Sequence, residues 1–120
     1  MAERVQFITH RGKEILSIDF SKTTPDEMLQ LMEEAKRVIS QRPEKSVRTL
    51  TNVERAHYNR IVSDALKDYV VHNKPYVLAG AVVGLDGLKT VIFNFLNRVT
   101  GRTLKAFDEL DAARNWLVQF

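Results

Sequence analysis

Apolar and polar residues alternate along the first part of the chain, which is the pattern of β-strands. Residues 5–9 and 14–20 are two such runs, and the glycine-containing segment 10–13 between them predicts a hairpin. The second run places three apolar side chains on one face: Leu16, Ile18 and Phe20. Ile15 falls on the opposite, more polar face, so the alternation is incomplete.

Further along, apolar residues recur every three or four positions, which predicts amphipathic helices. The first helix should begin after Thr24, which can form a capping box with Glu27, and Pro25 suits the first helical position. The pair Arg42-Pro43 should end it. Its core-facing stripe is predicted to comprise Met28, Leu31, Met32, Ala35, Val38 and Ile39.

A second helix is predicted after a short strand over residues 47–50. Thr51 and Asn52 are candidates for its N-cap, and the proline in segment 73–75 should end it. Its inner face is predicted to comprise Ala56, Tyr58, Ile61, Val62, Ala65, Leu66, Tyr69 and Val70.

The last third of the chain repeats the strand-then-helix pattern twice. Residues 76–83 form a near-continuous apolar run, which is typical of a strand covered on both faces. Residues 88–99 have helical spacing through Leu88, Val91, Ile92, Phe95 and Val99, and Gly101 is suited to end that helix. Residues 103–107 form the last predicted strand. Asp108 could cap a final helix whose apolar side includes Leu110, Ala113, Trp116 and Leu117.

The order β-β-α-β-α-β-α-β-α predicts an α/β fold with a mixed, partly parallel sheet and flanking helices. The 120 residues suit one domain, 1–120. Eighteen basic residues are interspersed with fifteen acidic ones, so we expect no nucleic-acid partner. The absence of cysteine excludes disulfides and thiolate chemistry. No secretory signal and no apolar run of about 18 residues is visible, which predicts a cytoplasmic protein without a membrane span.

Polar residues stand where three of the predicted strands end. They are Asp19, Thr51, Asn52, Arg55, Asp86 and Lys89. Because the carboxyl ends of parallel strands gather at one edge of a sheet, we predict a polar cleft there. It could hold a small anion or a partner's side chain through helix N–H groups and through Arg55 or Lys89. The alternative is that these are ordinary cap and turn residues.

The stretch from Gly84 to Thr90 raises the question of a phosphate-binding loop. Two residues separate Gly84 from Gly87, and Leu88 intervenes before Lys89, so the spacing of that motif is not met. Three histidines are present, and none forms a metal-ligand pair by spacing. The sequence therefore predicts no cofactor and no metal. An enzyme using this edge would need His57 or Asp86 as its base.

The predicted helix over residues 88–99 carries further apolar residues away from its main stripe. Phe93 points well off the stripe, and Leu96 lies at its margin. If exposed, these two side chains would form an apolar interface for a partner or a second copy. The alternative is a helix that is buried on more than one side.

Four segments in this order resemble the STAS superfamily, in its SpoIIAA-like branch of small bacterial proteins related to anti-sigma-factor antagonists. They are ILSIDFS, SVRTLTNV, NKPYVLAGAVVGLDGLK and GRTLKAFDELDAARNWL, which together span most of the chain. The resemblance implies a regulatory or interaction domain more than an enzyme. In signalling members, a hydroxyl residue at the start of the helix after the third strand is phosphorylated, and Thr51 is the hydroxyl near that position. The Asp-Ser-Ser/Thr-Gly pattern of those members is absent here.

We therefore expect a non-enzymatic regulatory or interaction domain. Its partner would be a protein, a second copy in a homodimer, or a small anionic or lipidic ligand. The alternatives are a small enzyme or a lipid-binding module that uses the polar cleft at the carboxyl edge of the sheet.

Overall fold

A computed structural model describes residues 3–102 and 104–120 of the chain. Within them the elements follow the predicted order, which confirms the α/β class. The strands are β1 (Val5–His10), β2 (Lys13–Asp19), β3 (Val47–Asn52), β4 (Val77–Val83) and β5 (Lys105–Phe107). The helices are α1 (Pro25–Ser40), α2 (Arg60–Asn73), α3 (Gly87–Thr100) and α4 (Leu110–Leu117). In the described part of the chain, no helix combines the length and the apolar character needed to cross a membrane.

The sheet is mixed, and its strands lie in the same order in space as in the chain. The β1 and β2 strands pair antiparallel, whereas β2, β3, β4 and β5 are parallel neighbours. Parallel connections are right-handed, and here every connection steps in the same direction across the sheet. Helices α1, α2 and α3 therefore pack on one face, and α4 is left to cover the other.

The sheet consequently separates two apolar cores. The larger core joins α1, α2 and α3 to the sheet and includes Leu16, Ile18, Phe20, Met28, Ile39, Val62, Tyr69 and Leu96. The smaller core lies under α4 and includes Ile15, Leu50, Ala81, Val83, Ala113 and Leu117. Ile15, which interrupted the alternation of β2, is fully buried in this second core. Its position is apolar because β2 is covered on both faces.

Helix α1 begins as its sequence predicts. The Thr24 hydroxyl accepts a hydrogen bond from the Glu27 backbone N–H at 3.2 Å, and the Glu27 carboxylate accepts from the Thr24 N–H at 3.0 Å. Pro25 occupies the first turn. These hydrogen bonds lower the pKa of Glu27, because they favour its charged form. Local signals sufficed here because a capping box involves only neighbouring residues.

The predicted start of the second helix is wrong. Thr51 and Asn52 belong to β3, whose pairing with β2 and β4 continues to Asn52. Helix α2 begins at Arg60, and the Asn59 side chain caps it by accepting from the Val62 N–H at 2.8 Å. Ladder hydrogen bonds on both sides of β3 outweigh the local preference of Thr51 and Asn52 for a cap.

The predicted inner face of α2 also needs correction at its beginning. Ala56 and Tyr58 lie in the loop before the helix, although both pack against the larger core. Ile61, which the periodicity placed inside, is exposed. The remaining inner positions of α2 do contact the core, because they follow the true start of the helix.

Helix α3 has the predicted extent, but the opposite face is buried. Leu96 and the half-buried Phe93 pack into the larger core, so the expected exposed interface of Phe93 and Leu96 is wrong. The predicted stripe is instead largely exposed at Leu88, Val91, Phe95 and Val99. The face of α3 that is buried begins with Lys89 and ends with Thr100, both of which are buried. Because both residues are polar, the sequence pattern did not identify this face as the buried one.

The last two elements differ slightly from their predicted limits. The described part of β5 begins at Lys105, and Thr103, the predicted first residue, lies outside the described residues. Glu109 rather than Asp108 is the N-cap of α4, and its side chain makes no capping hydrogen bond. The helix is held by packing: the Trp116 ring lies 5.5 Å from that of Phe107 and 4.9 Å from that of Phe120.

Candidate ligand-binding pocket

The carboxyl edge of the sheet brings two of the predicted site residues side by side. Asp19 and Asn52 are register neighbours, and Asn52 in turn pairs with Val83. The Asp19 carboxylate accepts from the Ser21 N–H at 2.9 Å and lies 3.8 Å from Arg4. The Asn52 side chain accepts from the Glu54 N–H at 3.0 Å. Both side chains therefore close the turns that follow their own strands.

Arg55 lies in the turn after β3 and is exposed. Its φ is 56°, a left-handed conformation, and the preceding residue, Glu54, approaches the β4–α3 turn. At that approach Gly84 has a φ of 93°, and a Cβ there would lie 2.6 Å from the Glu54 nitrogen. Gly84 thus lets two loops touch through their backbones. Arg55 is exposed, whereas Lys89 is buried, so the two predicted cations of this edge differ in their surroundings.

Thr51 does not join Asn52 at the edge, because successive strand residues face opposite sides of a sheet. Its side chain faces α2 and α3 and lines a cavity beneath them. The expected phosphosite relied on a position at the start of a helix, and that premise is wrong because Thr51 is a half-buried strand residue. Modification of Thr51 itself stays a prediction.

Asp86 and Lys89 form the remaining predicted pair, at the N-terminus of α3. The Asp86 carboxylate caps the helix by accepting from the Lys89 N–H at 3.2 Å, and it also accepts from the Lys89 ammonium at 3.0 Å. These hydrogen bonds, with that from the side chain foremost, lower the pKa of Asp86. A carboxylate so stabilised is a weak base, which disfavours Asp86 as a catalytic base.

The two partners of this pair differ sharply in burial. The Asp86 side chain is 63% exposed, whereas that of Lys89 is 6% exposed. An ammonium group carries three N–H donors, and among the described residues Asp86 is the acceptor that Lys89 reaches. A buried charge costs several kcal/mol unless it is well compensated, so Lys89 is the unusual residue of this region.

Lys89 lies in the wall of a cavity of about 70 Å³ between the sheet, α2 and α3. The rest of the wall is mostly apolar and includes Phe20, Leu66, Val82, Ile92, Leu96 and Leu104. Among the described residues of this wall, Lys89 is the one with a formal charge. An apolar enclosure with one cation at its margin is a common form of small-molecule site.

Tyr58 contributes another polar group to the cavity, from the loop before α2. Its ring centroid lies 5.8 Å from the Lys89 ammonium. Burial and, to a smaller degree, the nearby Asp86 carboxylate raise the pKa of Tyr58 to about 12. The Tyr58 hydroxyl therefore keeps its proton at neutral pH and can donate a hydrogen bond.

A smaller chamber of about 30 Å³ adjoins this cavity on the strand side. Thr51, Tyr69, Val70, Val82 and Leu104 line both spaces. Polar residues are concentrated in the smaller one: Thr49, Thr51, Tyr69, Asn73 and Arg102. We call the larger space the outer chamber and the smaller one the inner chamber.

The sequence pattern identified the pocket residues Thr51 and Lys89, and Asp86 as the partner of Lys89, but missed the tyrosines and Arg102 as pocket residues. Tyr58 and Tyr69 were assigned to the core, and a hydroxyl on a predicted core face was the one available signal. Arg102 follows the end of α3 and carried no such signal. It enters the pocket because its guanidinium donates to the Val70 carbonyl at 3.0 Å across the chain.

The other candidate base, His57, lies exposed in the loop before α2. In residues 3–102 and 104–120, no group of three or more His, Asp or Glu side chains is placed to hold a metal ion. Comparison with protein-family models, with curated proteins and with solved structures found no match.

Proposed function

We propose that this domain binds a small anionic amphiphile, whose aliphatic part occupies the outer chamber and whose acidic group pairs with Lys89. The observation that carries the proposal is a lysine only 6% exposed in the wall of a mostly apolar cavity. Such a group needs more compensation than one largely exposed carboxylate supplies, and a bound anion would supply it.

The position of Lys89 in the first turn of α3 adds to this preference. The free N–H groups and the dipole of a helix N-terminus favour negative charge. Asp86 already accepts hydrogen bonds from the Lys89 backbone N–H and from the Lys89 ammonium. The acidic group of a ligand would therefore bind the ammonium together with Asp86. The ammonium has donors enough for two carboxylates.

The size of the outer chamber limits the ligand to a slender molecule. An engineered cavity of roughly 150 Å³ accommodates benzene, and the outer chamber is about half as large. A short aliphatic chain fits this space better than a ring or a long lipid tail. Each Å² of apolar surface that binding removes from water stabilises the complex by roughly 25 cal/mol.

The test is titration with the sodium salts of butanoate, hexanoate and octanoate, followed by NMR of the methyl groups. We expect shifts at Leu66, Ile92 and Leu96 around the outer chamber. Leu110 and Leu117 on the far side of the sheet should not respond. The absence of any selective shift up to solubility-limited concentrations would overturn the proposal.

Lys89→Met should abolish the response to hexanoate, because it removes the cation while keeping the length of the side chain. Lys67→Met is the matched control, since Lys67 is exposed on α2 and should leave binding unchanged. Equal loss in both variants would point to nonspecific attraction by surface charge.

A second candidate function is self-association through the exposed face of α3. Leu88, Val91, Phe95 and Val99 form this face, and Ile61 of α2 is also exposed. A groove of about 570 Å³ runs between the two helices, and its rim carries Asp64 together with Lys67 and Arg98. Because this rim carries both acidic and basic side chains, it can face the same rim of a second copy across a two-fold axis. The resemblance to the STAS superfamily agrees with a binding domain and stays a prediction.

A further inference from the structure

The inner chamber is lined by a tyrosine, Tyr69, whose hydroxyl lacks a hydrogen-bond partner among the described residues. Tyr69 is buried, and its hydroxyl has no hydrogen-bond partner among residues 3–102 and 104–120. The Asn73 side chain lies near it without closing a hydrogen bond of normal geometry. Buried hydroxyl groups are nearly always paired in proteins, so this one requires an explanation.

The groups around this hydroxyl are mainly donors. The Arg102 guanidinium uses one nitrogen for the Val70 carbonyl, and the carbonyl oxygen of the Asn73 amide already lies 3.0 Å from His72 Nδ1. Burial raises the pKa of Tyr69, so its hydroxyl keeps the proton and acts as a donor. The inner chamber thus suits an oxygen atom that accepts hydrogen bonds.

Gly80 of β4 lies close to residues that line the inner chamber. A Cβ on Gly80 would collide with the Leu104 side chain and lie 3.1 Å from the Thr49 hydroxyl and 3.4 Å from the Arg102 guanidinium. Gly80 therefore allows Leu104 and Arg102 to approach the sheet and close the chamber. A chamber of about 30 Å³ has room for a small polar group such as a carbonyl, because roughly 10–15 Å³ of such space already holds one water molecule.

We propose that the ligand is a short-chain oxo acid, with its carboxylate at Lys89 and its carbonyl oxygen in the inner chamber. This inference rests on the proposed function and specifies its ligand. Five residues line both chambers, so the two spaces adjoin and share part of their walls. Lys89 lines the outer chamber alone, whereas Asn73 and Arg102 line the inner one alone, so donors stand on both sides of the shared residues.

The experiment compares hexanoate with 5-oxohexanoate and 7-oxooctanoate by calorimetric titration. The intact protein should bind the better-fitting oxo acid about tenfold more tightly than hexanoate, which is the gain from one well-made hydrogen bond. Tyr69→Phe should erase this preference, so that the variant binds hexanoate and the oxo acids with equal affinity. Tyr76→Phe, in the loop before β4, is the matched control and should keep the preference.

The outcomes separate the two proposals. If the intact protein binds hexanoate and both oxo acids equally, the inner chamber holds only water, and the oxo-acid inference fails while the proposed function stands. If no acid binds, both fail. A preference that persists in Tyr69→Phe would also overturn the role of this hydroxyl. Because Tyr69→Phe removes an unpaired group, its thermal unfolding should match that of the intact protein and so confirm that it folds.

Discussion

At the residue scale, the Asp86–Lys89 pair connects the stability of the fold to pH. The pKa of Asp86 is lowered in the folded protein from its ordinary value of 3.8. A lowered folded-state pKa contributes stability above the unfolded value, and that contribution is lost as pH falls through the folded pKa. The pair therefore stabilises the protein at neutral pH and ceases to do so in acid.

Asp86→Asn should accordingly destabilise the protein at pH 6, and this effect should shrink as the pH falls below 3.8. Asparagine keeps the N-cap, so the comparison isolates the charge. Urea unfolding at a series of pH values measures the difference in the free energy of unfolding. Asp111→Asn, in the exposed pair with Arg114, is the control and should show a smaller change with pH. A constant difference between pH 3 and 6 would contradict this account of Asp86.

Lys89→Met should leave the free energy of unfolding unchanged or raise it by up to about 1 kcal/mol. A buried ammonium is costly, and an apolar side chain of similar size can replace it without that cost. The carboxylate left behind is largely exposed and can be hydrated. Chemical denaturation at neutral pH checks the prediction. Marked destabilisation would mean that Lys89 serves mainly the fold and would weaken its assignment as a ligand-binding residue.

Gly84, in the turn before α3, and Gly87, the first residue of α3, provide a matched comparison. Gly84→Ala should lower the free energy of unfolding by about 2 kcal/mol or more, because it combines a positive φ with a collision against the Glu54 backbone. Gly87→Ala meets open space and should raise it by up to about 1 kcal/mol. Thermal and urea unfolding of both variants distinguish them. Similar values would show that the loops do not touch as described.

At the scale of elements, the orientation of α3 is the feature that can be tested most directly. Leu96 is 6% exposed and Leu88 is 66% exposed on the same helix. Leu96→Ala should cost about 2–4 kcal/mol, as for a buried leucine, whereas Leu88→Ala should change the free energy of unfolding by less than about 0.5 kcal/mol. Equilibrium unfolding gives both values. If Leu88→Ala lowered the free energy of unfolding more than Leu96→Ala, the orientation of α3 that the periodicity predicted would be correct instead.

Element boundaries were predictable where the deciding interactions are local. The capping box of Thr24 and Glu27 places the start of α1, because each member bonds the backbone of the other. The start of α2 depends on distant strands: Asn52 pairs with Asp19 and Val83, so β3 continues past the predicted cap. Asn59 then caps a helix that begins at Arg60.

At the scale of the whole molecule, the arrangement of helices leaves the outer face of α3 without a cover. All three crossover helices lie on one face of the sheet, and α3 is the last in that row. In the part of the chain that the structure describes, its outer side therefore borders no further helix of this face, and four large apolar residues are exposed there. Exposed apolar patches of this kind mark interaction surfaces.

Self-association through this face should be detectable by light scattering over a range of protein concentrations. We expect a dimer that Val91→Glu converts to a monomer, because a charge cannot be buried unpaired in an apolar interface. Thermal unfolding of the dilute variant should match that of the dilute intact protein. Ala112→Glu, at an exposed position of α4 on the other face, is the control for oligomeric state and should not dissociate the dimer. A monomeric intact protein at high concentration would contradict the second candidate function.

The amino-acid sequence by itself determined the α/β class, the order of the elements and the cap of α1, because these depend on alternation, helical periodicity and neighbouring residues. It also singled out Asp86 and Lys89, three residues apart on the first turn of one helix. Only the tertiary structure decided which side of α3 is buried, since both sides carry apolar residues and the sheet selects one. Tyr58, Tyr69 and Arg102 likewise enter one pocket from distant segments, and no local pattern encodes that meeting.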